Sequence, residues 1–463
     1  MYRAPMTMPK SLLRILAVAA VLPVAASAQD GSVENTAANH GLSYAPDEVN
    51  PPPTIPNPPR SWIDPDTGHR VIRLTDVPGS DSLYFNLNGF TPDGKKMVYT
   101  TLNTVGVVDL ATFQTRTLVT AKDPPHRPRV LVVGSKTPTV FYTEMTEGSD
   151  PNLTTIWAAN MDTGEIRKLV DLPHRLTVAS INADETLALG AFVENDADVA
   201  PETAGKLHAD PGGMGELNLG EAMNKGLMMG QRLTARYPMT MFTVNLQTGQ
   251  ITPLLQHNTN WLNHFQFSPK DPSLLLFCHE GNWPLVDRIW TMHTDGTLPQ
   301  LVHKRIMQNE TDGHEWWGGD GKTIYYQLHY TKGMQSSFIA SYNEDTGERT
   351  WLYYPLEMAS IHDNSSPDGT LFCGDGNYNQ PWIFLLRPVV NKDQGTLGTD
   401  LIKGGTVQAE KLVNMGKTAI HHAQNYRLEP NPMFTPDQKY VVFRANFFGP
   451  DYPFAVEVAK ASN

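Results

Sequence analysis

Cysteine is almost absent from this chain of 463 residues, with Cys278 and Cys373 the only two. A disulfide-stapled scaffold and a clustered-cysteine metal site are therefore excluded. Basic residues are also short: 36 Lys and Arg stand against 48 Asp and Glu, a net charge of -12. Phosphate backbones need a basic surface, so nucleic acid is not an expected partner. An anionic ligand would have to be held by local Arg, Lys, His or metal charge inside a pocket. Also missing are a Gly-x-Ser-x-Gly nucleophile elbow, a phosphate-cradling glycine loop and a complete His-Glu-x-x-His metalloprotease helix.

Long apolar runs are lacking as well, except one near the start. Arg3, Lys10 and Arg14 flank an apolar run from Ile15 to Val24, and Ala26-Ser27-Ala28 follows as a small-residue cleavage site. Residues 1–28 are thus expected to be a signal peptide, too short for a stable membrane span. The mature protein is expected to be soluble and exported, periplasmic or secreted, with its charge moved to -15 by the loss of three basic residues. Residues 29–60 are rich in Pro, Asn and Ala and read as an extended linker.

What is present, from residue 61 to 463, is a repeat. A turn of the form Ser/Thr-Pro-Asp-Gly precedes an apolar strand at Thr91–Gly94, Ser268–Asp271, Gly318–Gly321, Ser366–Gly369 and Thr435–Asp437. Weaker copies lie at Gly134–Lys136 and Asn182–Asp184. A second marker, a Thr-Gly turn between strands, follows at Asp162–Glu165, Gln247–Gln250 and Asp345–Glu348. Two tight turns per repeat of roughly 40–60 residues describe four-stranded antiparallel blades. The fold expected is an all-β, seven-bladed β-propeller. Its last copy stops one strand short, and Asp66–Leu74, with its own Thr-Gly turn, is expected to complete that blade and close the ring. Cys278 and Cys373 occupy similar places in non-adjacent repeats and are expected to be free, buried thiols. Residues 194–232 interrupt the third blade with a Met-rich helical pattern, either a packing helix or a lid.

First strands of propeller blades line the central channel. Counting back a constant six residues from the turn gives His264, His314, His362 and Asn431, with Glu429 on the same side of its strand as Asn431. Asn86 and Asn88 flank that position in the first blade. One such His is ordinarily a hydrogen-bonded core residue, but a convergent set describes a site. Nearby stand His279-Glu280, Glu315, the pair His421-His422, and Arg288, which is either a solvated salt-bridge residue or a site cation. Trp283, Trp316 and Trp317 either stack on a ligand or pack between blades.

Several stretches together resemble the oligogalacturonate lyases, seven-bladed propeller enzymes of pectin breakdown. They are Phe277–Gly281, Leu285–Trp290, Gly313–Trp317, His362 with Pro367-Asp368-Gly369, and Phe434–Asp437. The resemblance implies β-elimination on a 4-linked uronate: a base removes the C5 proton and the 4-O-glycosidic oxygen leaves. It puts His314 at the base and Arg288 at the catalytic arginine; His264, His279, Trp317, Tyr426 and His422 are expected around the substrate from their own positions and side chains. It puts His362 at a metal ligand. The family's Gln-x-x-His-x-His metal pattern is replaced here by Tyr426, Glu429 and Asn431, so the implied metal set is His362, Glu429 and Asn431. Either that oxygen-rich set holds Mn²⁺, Ca²⁺ or Mg²⁺, or the metal is lost and Asn431 or a nearby basic group neutralises the carboxylate. The expected partner is an acidic oligosaccharide. The open alternatives are a lyase for another uronate-containing glycan and a non-catalytic propeller that binds a glycan or a protein.

Overall fold

In the computed structural model the described residues are 54–463, apart from 124–125, 146–152, 174–175, 195–228, 231–232, 235, 258, 331–335, 356–357, 378–379, 398–399, 417, 419–427 and 462–463. The expected leader, most of the linker, nearly all of the 194–232 insertion, and Tyr426, His421 and His422 lie outside them.

The chain folds as a succession of small antiparallel sheets, as the repeated turns require. Lys96–Thr100, Thr104–Asp109 and Thr115–Thr120 form the first, and Arg129–Val133, Thr139–Met145, Thr154–Asn160 and Ile166–Asp171 the second. Thr177–Ile181, Leu187–Val193, Met239–Asn245 and Ile251–His257 follow, then Trp261–Phe267, Leu274–Glu280, Ile289–His293 and Gln300–Leu301. The next two quartets are Thr311–Trp317, Thr323–Tyr330, Ser336–Asn343 and Arg349–Tyr354, and Asp363–Ser365, Phe372–Gly374, Trp382–Leu397 and Asp400–Asn414. They are fused, because Arg349–Tyr354 pairs in parallel with Asp400–Asn414. The sequence gives no hint of that fusion. The final sheet holds Met433–Phe434, Tyr440–Ala445 and Tyr452–Lys460, and His69–Arg73 pairs with its last strand. Ser61–Ile63 adds a further strand outside His69–Arg73.

Local chemistry explains the turns. Before each Thr-Gly turn an Asn or Asp side chain accepts two backbone N–H groups: Asn160 from Asp162 and Thr163, Asn245 from Gln247 and Thr248, Asn343 from Asp345 and Thr346. Asp64 does the same for Asp66 and Thr67 in the N-terminal segment. The glycine that follows needs a left-handed backbone, as Gly164 at φ 78° shows. The sheets pack face to face, so central strands are buried on both faces. Leu274–Glu280 is buried at every position. Apolar clusters lie between successive sheets, each buried Val, Leu or Phe contributing roughly 1.5–3 kcal/mol. One cluster joins Met433, Val442 and Ala455 of the final sheet to Met97, Tyr99 and Val108 of the first. Cys278 and Cys373 are free and buried, each in the second strand of its sheet. Among the described residues no helix is long and apolar enough to cross a membrane.

Candidate functional site

The constant offset found in the sequence has a backbone cause. His264, His314 and Asn431 have φ of 52°, 48° and 49°, in the left-handed region. At two of them the strand pairing slips, between Asn263 and Gln266 and between Gly313 and Trp316. A bulge of this kind re-aims one side chain away from the ladder. It costs about 1–2 kcal/mol at a residue other than glycine, and such strain is concentrated at functional sites.

The side chains so aimed meet one another. The His314 ring lies 5.0 Å from Trp283 and 4.8 Å from His362. Phe85 packs against both, at 6.2 Å from His314 and 5.1 Å from His362, and Tyr84 stands 5.3 Å from His362. His362 is held hard from behind. Asp375 Oδ1 accepts the backbone N–H of Ile361 and His362, and Asp375 Oδ2 lies 2.8 Å from His362 Nδ1. On its far side His362 Nε2 is 3.8 Å from Glu429 Oε2. Asn431 Nδ2 donates to the Glu429 carbonyl at 2.9 Å, while its Oδ1 is buried and has no hydrogen-bond partner among the described residues. Arg444 Nε also donates to the Glu429 carbonyl, and the residue is buried.

Arg288 is fully buried, so the solvated salt-bridge reading fails. Its Nη1 donates to Glu280 Oε1 at 3.1 Å and its Nε to Glu315 Oε2 at 3.4 Å. The guanidinium carbon sits 4.8 Å from the Trp283 ring, and Nη2 is buried without a partner among the described residues. Burial works against the charge, but the Glu315 and Glu280 carboxylates outweigh it and hold the guanidinium protonated. His264 closes the cluster, 3.5 Å from Glu280 Oε2 and 3.7 Å from Glu315 Oε1. His264, Cys278 and Glu280 offer ligand atoms within 4.8 Å of one another. Burial raises the Cys278 thiol, and Arg288 already occupies Glu280, which favours a hydrogen-bonded cluster over a cation site there.

The structure thus brings together His264, Arg288, His314, His362, Glu429 and Asn431. It does not bring in His279 or Trp317. Strand alternation sends His279 to the face opposite Glu280, where it packs 4.9 Å from Trp290. Trp317, partly buried, packs against the apolar cluster between two sheets. Trp316 is likewise core, its Nε1 donating to Ser365 Oγ. Asn88 bridges backbone carbonyls of Phe90 and Val133. Residues that the constant offset missed are Glu280, Glu315, Gln327, Asp375 and Phe85. The two Glu carried a faint signal, since each follows a His in the same dipeptide.

Asp312, one residue before the Gly313–His314 bulge, is buried with neither oxygen partnered among the described residues. Burial pushes its carboxyl up to about 7, with His303 and Arg288 opposing and Glu315 and Glu310 adding to the rise. The folded state therefore holds a proton that an unfolded chain releases at ordinary carboxylate pH. Stability from this group is complete below pH ~4 and is lost as pH rises through about 7. Asp312→Asn is expected to remove that loss. Urea unfolding at pH 5, 6, 7 and 8 should show the variant gaining on the wild type with pH, by about 2–3 kcal/mol across that range. A difference that does not change with pH would contradict the buried, protonated carboxyl.

Residues 233–461 match the family model described as oligogalacturonate lyase. The oligogalacturonate lyase of Dickeya dadantii is 33% identical over 218 residues, 45% of this chain and 53% of that protein. The oligogalacturonide lyase of Pectobacterium atrosepticum is 32% identical over 224 residues, again 45% and 53%. The chain spans about half the length of the curated relatives it matches. Among solved structures, an oligogalacturonate lyase in complex with manganese superposes with a TM-score of 0.66 at 24% identity, over 88% of this chain and 98% of that one. The Vibrio parahaemolyticus oligogalacturonate lyase gives 0.63 at 22%, over 86% and 96%. At these identities the superpositions establish a propeller-like all-β fold. The family match contains His264, Arg288, His314, His362, Glu429 and Asn431; Tyr84 and Phe85 lie outside it.

Proposed function

We propose that this chain is an oligogalacturonate lyase, an exported seven-bladed propeller that cleaves acidic pectin oligosaccharides by β-elimination. The seven-blade count is supported by the two quartets within the fused sheet. Closure of the ring is supported by the pairing of His69–Arg73 with Tyr452–Lys460 and by the core shared between final and first sheets. Export rests on the sequence pattern of residues 1–28. The single observation that carries the activity is the convergence of a strained His314 with Arg288, His362 and Glu429 inside the region matched by the lyase family.

The reaction needs a base at C5, a means of neutralising the uronate carboxylate, and fixed positive charge near the developing enolate. His314 is the base. Arg288 supplies fixed charge, and since Trp283 lies over its guanidinium, direct contact with substrate requires Trp283 to move aside. His264, half exposed beside Glu280 and Glu315, stands at the edge of the same cluster.

A divalent cation fits the second requirement. His362 Nε2, the Glu429 carboxylate and the orphaned Asn431 Oδ1 form a hard N/O donor set, and the Asp375 carboxylate on His362 Nδ1 is the usual support behind a metal-bound imidazole. These three residues would hold Mn²⁺, Mg²⁺ or Ca²⁺, and the ion would neutralise the substrate carboxylate. Arg444, bonded to the Glu429 carbonyl, is a fixed cation beside this segment among the described residues.

The test is ultraviolet absorbance from the 4,5-unsaturated product on oligogalacturonate and a panel of other uronate oligomers, with and without chelator. A signal greatest on oligogalacturonate and abolished by chelation is expected, with activity restored by Mn²⁺. A signal greater on another uronate reassigns the substrate, and binding without turnover on any of them refutes the lyase. Turnover that survives chelation assigns carboxylate neutralisation to a protein group rather than to a metal.

A further inference from the structure

We infer that Gln327 is the positioning residue that sets the tautomer of His314, so that Nδ1 carries the proton and Nε2 carries the lone pair. The inference deepens the lyase reading and rests on it only for its kinetic consequence.

Three contacts fix the chain of reasoning. Gln327 lies fully buried on Thr323–Tyr330, the strand paired with the His314 strand, and its Oε1 is 2.8 Å from His314 Nδ1. Its Nε2 donates at 2.9 Å to the Ser360 carbonyl and at 2.6 Å to Asp363 Oδ2. A backbone carbonyl only accepts, so the amide nitrogen must be the end facing Ser360. The flipped amide would set two acceptors against each other in a buried place, at a cost of about 1–3 kcal/mol. The oxygen must therefore face His314, and an amide oxygen cannot donate. The Nδ1···Oε1 hydrogen bond exists only if Nδ1 holds the proton. In a neutral imidazole that leaves Nε2 as the basic nitrogen.

Asp363 is the second member of the device. Its Oδ2 also receives the Tyr354 hydroxyl at 3.3 Å, so the carboxyl that orients Gln327 is itself fixed by a buried side chain. Asp363 and Ser360 belong to the next sheet and its approach, so the base is set across a sheet-to-sheet boundary. The bulge at Gly313–Trp316 completes the arrangement by turning His314 onto Gln327. Gln327 is not expected to touch substrate. It acts through His314.

Two measurements test this. Two-bond ¹H–¹⁵N correlation spectra of ¹⁵N-histidine-labelled protein report the tautomer directly, with resonances assigned by comparison with His314→Asn. The wild type should show His314 protonated at Nδ1. Gln327→Met keeps the volume and removes the acceptor, so His314 should shift toward the Nε2–H form and kcat should fall at least about tenfold with KM little changed. An Nε2–H wild type, or a Met variant with unchanged tautomer and kcat, overturns the inference. If Gln327→Met does not fold, the wild-type spectrum still decides. The spectrum does not depend on turnover, so an inactive wild type with an Nδ1–H His314 would refute the lyase reading and leave the positioning role standing.

Discussion

Replacing His314 is expected to lower kcat on oligogalacturonate by roughly 10²–10⁴-fold, the usual worth of a positioned general base. The choice of replacement matters because of the backbone. At φ 48° an alanine pays about 1–2 kcal/mol for the left-handed conformation, whereas asparagine is among the residues that tolerate it best. His314→Asn is therefore the cleaner variant. It keeps the bulge and a polar group against Gln327 Oε1, and removes only the imidazole. The side chain is half-exposed, so its loss should cost little stability, and thermal melting should separate loss of chemistry from loss of fold. KM should change much less than kcat, because the proton transfer exists only in the transition state. A His314→Asn enzyme within tenfold of the wild type would remove His314 from the chemistry.

The sequence made the repeat legible because its turns demand particular residues. Asn160, Asn245 and Asn343 each accept the N–H groups two and three residues on, before a left-handed glycine, and such positions tolerate few alternatives. Asp64 and Gly68 carry the same signature, which is why the N-terminal segment was readable as a strand of the last sheet. The site positions were legible for a related reason. A left-handed residue recurs at the same distance before the turn, so a fixed count back from the turn lands on His264, His314 and Asn431.

What stayed hidden is what supports them. Gln327 and Asp375 are brought to the site by strand register and by loop closure, and neither belongs to a local pattern. The parallel pairing of Arg349–Tyr354 with Asp400–Asn414 is non-local too. His279 was misdirected by its neighbour. In a strand only one of two adjacent residues faces a given side, and Glu280 takes the Arg288 side. Arg288 was recognisable by motif, but its burial was not, because the charge is compensated by two carboxylates from different strands.

That compensation gives the largest expected effect on stability. Arg288→Met is expected to destabilise the protein by about 3–5 kcal/mol, the cost of breaking a buried ion pair from one side. Glu280 and Glu315 are both buried, and each keeps one oxygen on Arg288. Without the guanidinium they face one another across His264 with only that ring to balance them. Methionine fills most of the volume, so a cavity is not the cause of the loss. The diagnostic is rescue: Arg288→Met combined with Glu280→Gln and Glu315→Gln removes the stranded charge, and should recover most of the lost stability in urea unfolding without recovering turnover. Arg288→Lys should fall between, because one ammonium cannot serve two carboxylates with the fixed fork of a guanidinium. A single Met variant as stable as the wild type would mean that the buried carboxylates are not held charged by Arg288. A triple variant that regains turnover would remove the fixed charge of Arg288 from the lyase mechanism.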